Sequence, residues 1–306
     1  MTGHTITITG ASGKLGRAVC EELATRVPPS LVTLGTRSPE SLQAYSVAGY
    51  RVMQVNFDEP QTVEEAFRGA EAMLLICGHG SNEARIRQHT DAIDSAKRCS
   101  TGRIYYTSFT NPTKGSLFPF AKVHEASEAH ARASGLRHTF LRNNHYAENL
   151  EDALLRARSS GELSLPGARG KVAYIVRQDV AAATVGALAL DKPEPSYEVS
   201  GPEALDLFDV AELASEAWGR KIIARDMPAD EYGRLLTARG LAPFVVEGQV
   251  GIRLACGAGE YSEITRDAEQ LAGRALRTML QYLLTFSEGT RLTQSPGASL
   301  QRHTTP

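Results

Sequence analysis

No apolar run in the chain approaches the ~20 residues a helix needs to cross a bilayer, which excludes a helical membrane protein. Cysteine is scarce and scattered. Cys20, Cys77, Cys99 and Cys256 include no C-x-x-C pair, which argues against a metal site or a disulfide frame. They read as the reduced thiols of a cytoplasmic protein. Neither sign of charge dominates. With 33 Lys and Arg against 35 Asp and Glu the net charge is −2, so no nucleic acid or anionic membrane is expected as a partner. There is no internal repeat, and the first strand pattern begins so early that no signal peptide is expected before it. What remains is ordinary globular composition: 306 residues, 42% hydrophobic and 22% charged. That length holds one large domain, or a nucleotide domain with a smaller lobe.

The most informative stretch runs from Thr5 to Gly16. Thr5-Ile6-Thr7-Ile8-Thr9 reads as a strand, Gly10-Ala11-Ser12-Gly13 as a turn, and Lys14-Leu15-Gly16 as the start of a helix. Gly10, Gly13 and Gly16 stand three apart, a G-x-x-G-x-x-G variant of the dinucleotide fingerprint. Such a turn lets the backbone approach a pyrophosphate and aims helix N-terminal amides at its charge. Ser12, Lys14 and Leu15 belong to the same expected contact surface. The following helix shows Leu15, Ala18, Val19 and Leu23 on one face and is stopped by Pro28-Pro29.

Strand and helix patterns then alternate. Strands are expected at 31–35, 51–55, 72–76, 103–107 and 138–141. Helices are expected from Ser38-Pro39-Glu40 onward and at 61–67, 83–97 and 119–133. This predicts an α/β fold: a Rossmann-type doubly wound parallel sheet, with ligand at the carboxyl ends of its strands. After residue 150 the alternation loosens. Segments 154–160, 179–190, 207–218, 229–236, 243–254 and 268–284 read as helical, 197–199 as a short strand and 163–170 as a turn-rich excursion. The expected organisation is a nucleotide domain over 1–152 with a return segment at 173–200. A smaller helix-rich C-terminal lobe takes 153–172 and 201–286, and 287–306 reads as a flexible tail.

The residue after the second strand selects the dinucleotide. A carboxylate there favours NAD, whereas this strand ends Gly35-Thr36-Arg37-Ser38. A guanidinium grips a ribose 2′-phosphate, so Arg37 predicts NADP, with Thr36 or Ser38 adding hydroxyl contacts. Asn56 and Phe57 end the third strand near the expected adenine. Cys77 and Gly78 end the fourth, where Gly78 permits close backbone approach. Thr107 and Ser108 end the fifth and put a hydroxyl beside the nicotinamide ribose.

These motifs, with His124-Glu125-Ala126-Ser127-Glu128 and Ser134-Gly135-Leu136-Arg137-His138-Thr139-Phe140-Leu141-Arg142-Asn143, resemble the NmrA-like group of atypical short-chain dehydrogenase/reductases over about residues 4 to 285. Phe118-Pro119-Phe120-Ala121-Lys122-Val123-His124 is similar to the triphenylmethane reductases and type 2 quinone oxidoreductases. The resemblance implies NADPH as reductant of cationic dyes or quinones. It also exposes a departure. Short-chain dehydrogenases usually carry a Tyr-x-x-x-Lys pair, the Tyr giving a proton and the Lys holding the ribose. Here Phe120 falls at the Tyr place and His124 at the Lys place. Phe118-x-x-x-Lys122 has the right spacing but the wrong register, and Lys122 and His124 cannot face one way on a helix. His124 is the favoured catalytic residue, with Glu128 one turn later to orient it.

Without that tyrosine the chemistry suits an acceptor that is already electron-poor: a quinone, cationic dye, iminium or enone. A modest acid then suffices, and catalysis rests on holding the reactants in contact. Asn143 is placed to bond the carboxamide, Tyr146 to stack on a flat acceptor or supply a late acid. Phe118, Phe120 and Asn149 complete the expected substrate pocket. The expected partner is a small aromatic or quinonoid molecule, and a homodimer is compatible with the chain. An alternative, suggested by the same missing tyrosine, is an NADP(H)-binding redox sensor without turnover. A tailoring reductase or isomerase is a third.

Overall fold

The computed structural model describes residues 4–285, so the tail expected at 287–306 lies outside the described residues. The nucleotide half runs β1 (Ile6–Ile8), α1 (Lys14–Ala24), β2 (Val32–Thr36), α2 (Gln43–Val47), β3 (Arg51–Gln54), α3 (Pro60–Phe67), β4 (Ala72–Leu75), α4 (Asn82–Arg98), β5 (Arg103–Phe109), α5 (Ala121–Ala133) and β6 (Arg137–Asn143). It continues through α6 (Glu151–Ser160), β7 (Glu162–Leu165), α7 (Arg177–Leu188), β8 (Ser196–Val199), α8 (Leu207–Trp218), β9 (Ile223–Asp226), α9 (Ala229–Ala238), α10 (Pro243–Gly257), α11 (Asp267–Ala272) and α12 (Met279–Leu284).

Seven strands form one parallel sheet in the order β3-β2-β1-β4-β5-β6-β8. The order reverses between β1 and β4, the point at which sheets of this kind take ligand beyond the strands' carboxyl ends. Side chains alternate between the two faces. Leu74 and Tyr105 join Leu23, Leu34, Leu141 and Val180 in the core beneath α1 and α7. Met73, Leu75, Ile104 and Tyr106 join Phe67, Ile93 and Phe140 in the core beneath α3, α4 and α5. Burial on both faces is why these strands read as continuous apolar runs rather than as alternation.

A third core gathers Leu154, Leu163, Val210, Cys256 and Leu283 from the second half of the chain. Here the sequence reading needs correction. The excursion at 163–170 begins with a strand, β7, which pairs in parallel with the unforeseen β9 in a separate two-stranded sheet. Each has only four residues, below the length at which period-2 alternation stands out. The helix read at 268–284 is two short helices, broken before Thr278, whose side chain begins α12 with a capping box. The helix read from 119 starts at Ala121, leaving Pro119 and Phe120 in the preceding loop.

Candidate active site

Gly10 adopts φ +65°, a conformation that a residue with a side chain resists. A Cβ at Gly16 would strike the carbonyl of Gly10 and the backbone of Ala11, so only glycine lets α1 start this close to β1. Gly13 caps α1 without a side-chain hydrogen bond, and the first turn carries no acid. The helix therefore offers uncompensated N–H groups and a positive end. Ser12 Oγ lies 2.7 Å from Thr36 Oγ1, which also accepts from Ser38 N at 3.2 Å. Thr36 thus locks the cradle to β2. Leu15 is buried in the first core, while Lys14 is exposed.

Arg37 is exposed and has no hydrogen-bond or ion-pair partner among the described residues. Its charge, with those of Lys14 and Arg85, reaches His79: burial first, then these three cations, push that imidazole below its ordinary value. Of the three, Lys14 and Arg37 are exposed, where a phosphate can reach them, and the Asp58 carboxylate also feels the Arg37 charge. Asn56 spends its amide on Glu59 Oε1 at 2.7 Å, and Phe57 packs half-buried against the second core. Cys77 N donates to Thr107 Oγ1 at 2.9 Å, and burial pushes the Cys77 thiol up.

The helix α5 turns His124 inward and Lys122 outward to solvent. His124 Nδ1 lies 3.0 Å from the Tyr106 hydroxyl. That hydroxyl is also 3.4 Å from His89 Nδ1, which is 2.9 Å from Ser127 Oγ. Gly78 N donates to His89 Nε2 at 3.4 Å, and Ser127 Oγ donates to Val123 O at 2.7 Å. These contacts fix the proton of His89 on Nδ1, facing Ser127. The Tyr106 hydroxyl thereby has its proton available for His124 Nδ1. Burial holds both imidazoles neutral, at about 3. Tyr106 is pushed well above the usual tyrosine range by burial.

Glu128 does not orient His124, contrary to expectation. One turn further on the same helix it faces β5 and β6, accepting from Ser108 Oγ at 2.7 Å and from Arg142 Nε at 2.9 Å. Burial raises its pKa, but Arg142, Ser108 and Arg132 together hold it below the usual carboxylate range. The Ser108 hydroxyl, expected beside the ribose, is spent on this carboxylate.

At the end of β6, Asn143 Nδ2 donates to the Tyr146 hydroxyl at 3.1 Å, while Asn143 Oδ1 is buried with no partner. Burial pushes Tyr146 up to about 12. Asn144 ties this segment to the rest of the chain through Tyr261 O, and the His145 ring packs edge-on against Tyr174. Asn149 is exposed on a single 3-10 turn. Phe118 packs in the third core against Phe109 and Phe120. Phe120 covers the guanidinium of Arg85, 4.2 Å from its ring centre. A cavity of about 580 Å³ opens at the opposite, amino ends of the strands, beside Ile6, Ala72 and Tyr105, and touches none of these residues.

His79, Arg85, His89 and Tyr106 were not singled out from the sequence. Arg85 and His89 share a spacing of four and three residues with the inward Ala92 and Ala96, and that stripe was the available signal.

The model of the NAD(P)H-binding family matches residues 10–191. Quinone oxidoreductase 2 of Escherichia coli is 30% identical over 251 residues, covering 80% of this chain and 87% of that protein. Its crystal structure with NADPH superposes with a TM-score of 0.86 at 27% identity, covering 91% of this chain and 98% of that one. The triphenylmethane reductase of Citrobacter sp., solved with NADP(H), gives a TM-score of 0.84 at 26% identity, covering 92% and 99%.

Proposed function

This chain belongs to the NAD(P)H-binding, NmrA-like family and is an NAD(P)H-dependent oxidoreductase; from that premise we propose that it uses NADPH to reduce a small, flat, electron-poor organic acceptor. The acceptor classes in view are quinones, cationic dyes, iminium ions and enones. The observation that carries the reading is the neutral, buried imidazole of His124 at the place where related dehydrogenases set a lysine.

The residues fit the cofactor. The uncapped start of α1 behind Gly10, Gly13 and Gly16 holds the pyrophosphate. Arg37 would hold the 2′-phosphate, aided by Lys14, and the orphaned Asn143 Oδ1 would accept from the carboxamide N–H. Bound NADPH supplies a hydride. The protein's own part is to bind, orient and keep water out. Reducing a simple ketone creates an alkoxide and needs a nearby acid. Here His124 stays neutral and Tyr146 holds its proton to about pH 12. His124 Nε2–H serves as a hydrogen-bond donor to charge that develops on the acceptor, and Tyr106 fixes its orientation. Such an acceptor takes its proton from water after hydride transfer, so positioning at about 3–3.5 Å is the main catalytic demand.

E. coli quinone oxidoreductase 2 and the azoreductase of Xenophilus azovorans, the latter 21% identical, carry names in keeping with this reading. On this reading the enzyme acts on a free small molecule in the cytoplasm. The test is NADPH consumption with a panel of quinones, enones and cationic dyes. Saturable turnover with at least one class supports it. Tight NADPH binding with no turnover across the panel replaces it with a redox sensor.

A further inference from the structure

We propose that the Arg85 guanidinium recognises the acceptor's oxygen, selecting a molecule whose reduction gathers negative charge there, a quinone or enone, over a cationic dye. The inference rests on the reductase reading above and narrows its substrate class.

Arg85 is only 6% exposed, yet no carboxylate pairs with it among the described residues. Its Nη2 donates to Asn82 Oδ1 at 3.2 Å and its Nη1 to Cys77 Sγ at 3.9 Å, while Nε is buried with no partner. A guanidinium has five N–H donors, and a buried cation normally finds an anion. The Phe120 face offsets part of that cost but accepts no proton. The surroundings add to the positive field. Arg85 sits in the first turns of α4, whose positive end favours anions, although Glu83 in the first turn answers part of it. It reaches His79, His89 and His124, all held below their ordinary values by burial and by this cation.

It sits by the loop at the carboxyl end of β4. Arg85 lies behind the loop that leaves β4, between Cys77 and Phe120, on the side of the crevice where His124 faces in. A quinone there accepts a hydride, two electrons and one hydrogen, from NADPH. The negative charge left on its oxygen is held by Arg85 until water delivers the second proton. NADPH and one proton thus become NADP and the quinone becomes its hydroquinone. A fixed cation in a water-poor site stabilises that charge at the moment it appears. The same cation repels a triarylmethane cation, whose charge disappears on reduction.

The experiment compares menadione with crystal violet in wild type, Arg85→Met and Arg85→Lys, with NADPH affinity measured by fluorescence titration. Wild type is expected to favour the quinone. Arg85→Met should lose about 100-fold in kcat/KM for the quinone, with unchanged NADPH affinity and undiminished dye turnover, and Arg85→Lys should recover part of the loss. Should the Met variant not fold, dead-end binding to the wild-type NADP complex decides: 4-nitrophenolate should bind more tightly than its neutral methyl ether. Equal losses for both acceptors, a loss confined to NADPH affinity, or equal binding of phenolate and ether would overturn the assignment of Arg85. A wild type inert toward both acceptors overturns the reductase reading beneath it.

Discussion

The hydroxyl of Tyr106 on β5 lies 3.0 Å from Nδ1 of His124 on α5, and both groups are buried. On the proposed reading, the chain keeps a tyrosine beside His124 although the resemblance puts Phe120 at the usual tyrosine position. Tyr106 works through the imidazole. Replacing it with Phe removes the donor that fixes the His124 ring, at a cost of about tenfold in kcat, typical of one hydrogen bond. Cofactor affinity should be unchanged. Burial holds His124 neutral down to about 3, so kcat/KM for a quinone should stay flat from about pH 5 to 8. A pH–rate profile with an inflection near a free histidine's value (about 6.5), absent from His124→Gln, would contradict this assignment.

Three buried histidines make the fold acid-sensitive. His89, His124 and His145 are each held at about 3, chiefly by burial, against 6.5 in the unfolded chain. Between those values the unfolded state binds more protons, so stability rises with pH. This contribution is complete above about pH 6.5 and drains as pH falls toward 3, by up to about 1.4 kcal/mol per pH unit for each histidine. Urea unfolding at pH 7.5 and 5.0 checks it: the midpoint should be clearly lower at pH 5.0. Equal midpoints would mean that the imidazoles reach water.

The nucleotide half was legible because its signals are local. A glycine turn, a Ser-Pro-Glu helix start and runs of apolar strand residues each follow from a few adjacent side chains. The facing of α5 was legible too: a two-residue offset separates Lys122 from His124 on any helix. What escaped was contact across elements. His89 on α4 meets Tyr106 on β5, and Glu128 on α5 meets Arg142 on β6, pairs whose members stand 17 and 14 residues apart in the chain. No spacing rule links such residues before the sheet order is known. Arg85 was overlooked because an arginine in a helix is expected to be solvated, and only its inward stripe with His89, Ala92 and Ala96 says otherwise.

On the proposed reading, Arg37 carries the choice between the two nicotinamide cofactors. It is exposed and unpaired among the described residues, so removing it leaves no buried group stranded. Arg37→Ala should keep its folding stability and its KM for NADH. Its KM for NADPH should rise by about 10- to 100-fold, the loss of one or two charge-assisted hydrogen bonds worth about 1.5–3 kcal/mol. Steady-state kinetics with both cofactors measures this. Undiminished preference for NADPH would move the 2′-phosphate to other cations.

Gly16→Ala tests the cradle through sterics alone. The added methyl meets the carbonyl of Gly10 and the backbone of Ala11, neither of which can swing aside as a side chain would. Overpacking against backbone costs about 1–3 kcal/mol and must displace the start of α1. Thermal stability should drop by several degrees, and NADPH binding, read by fluorescence titration, should weaken more than the loss of folded protein explains. Normal affinity would show that the pyrophosphate does not depend on this approach.

Glu128→Gln separates support of the fold from support of catalysis. The carboxylate, with 2% side-chain exposure, pairs with Arg142 and Arg132 at 2.7 Å each. Ser108 adds a bond at 2.7 Å, whereas His124 takes none of these contacts. Breaking a buried pair strands the remaining charge at a cost of about 3–5 kcal/mol. Arg142 keeps Glu198 at 3.0 Å and a side-chain exposure of 23%, so the loss belongs at the lower end, about 3 kcal/mol. Urea unfolding should register that loss, while kcat per folded molecule stays within about twofold, since the carboxylate bonds Ser108, Arg132 and Arg142 rather than His124. The opposite pattern, intact stability with collapsed turnover, would return Glu128 to the role of positioning His124. It would also require an arrangement of α5 in which residues 124 and 128 meet.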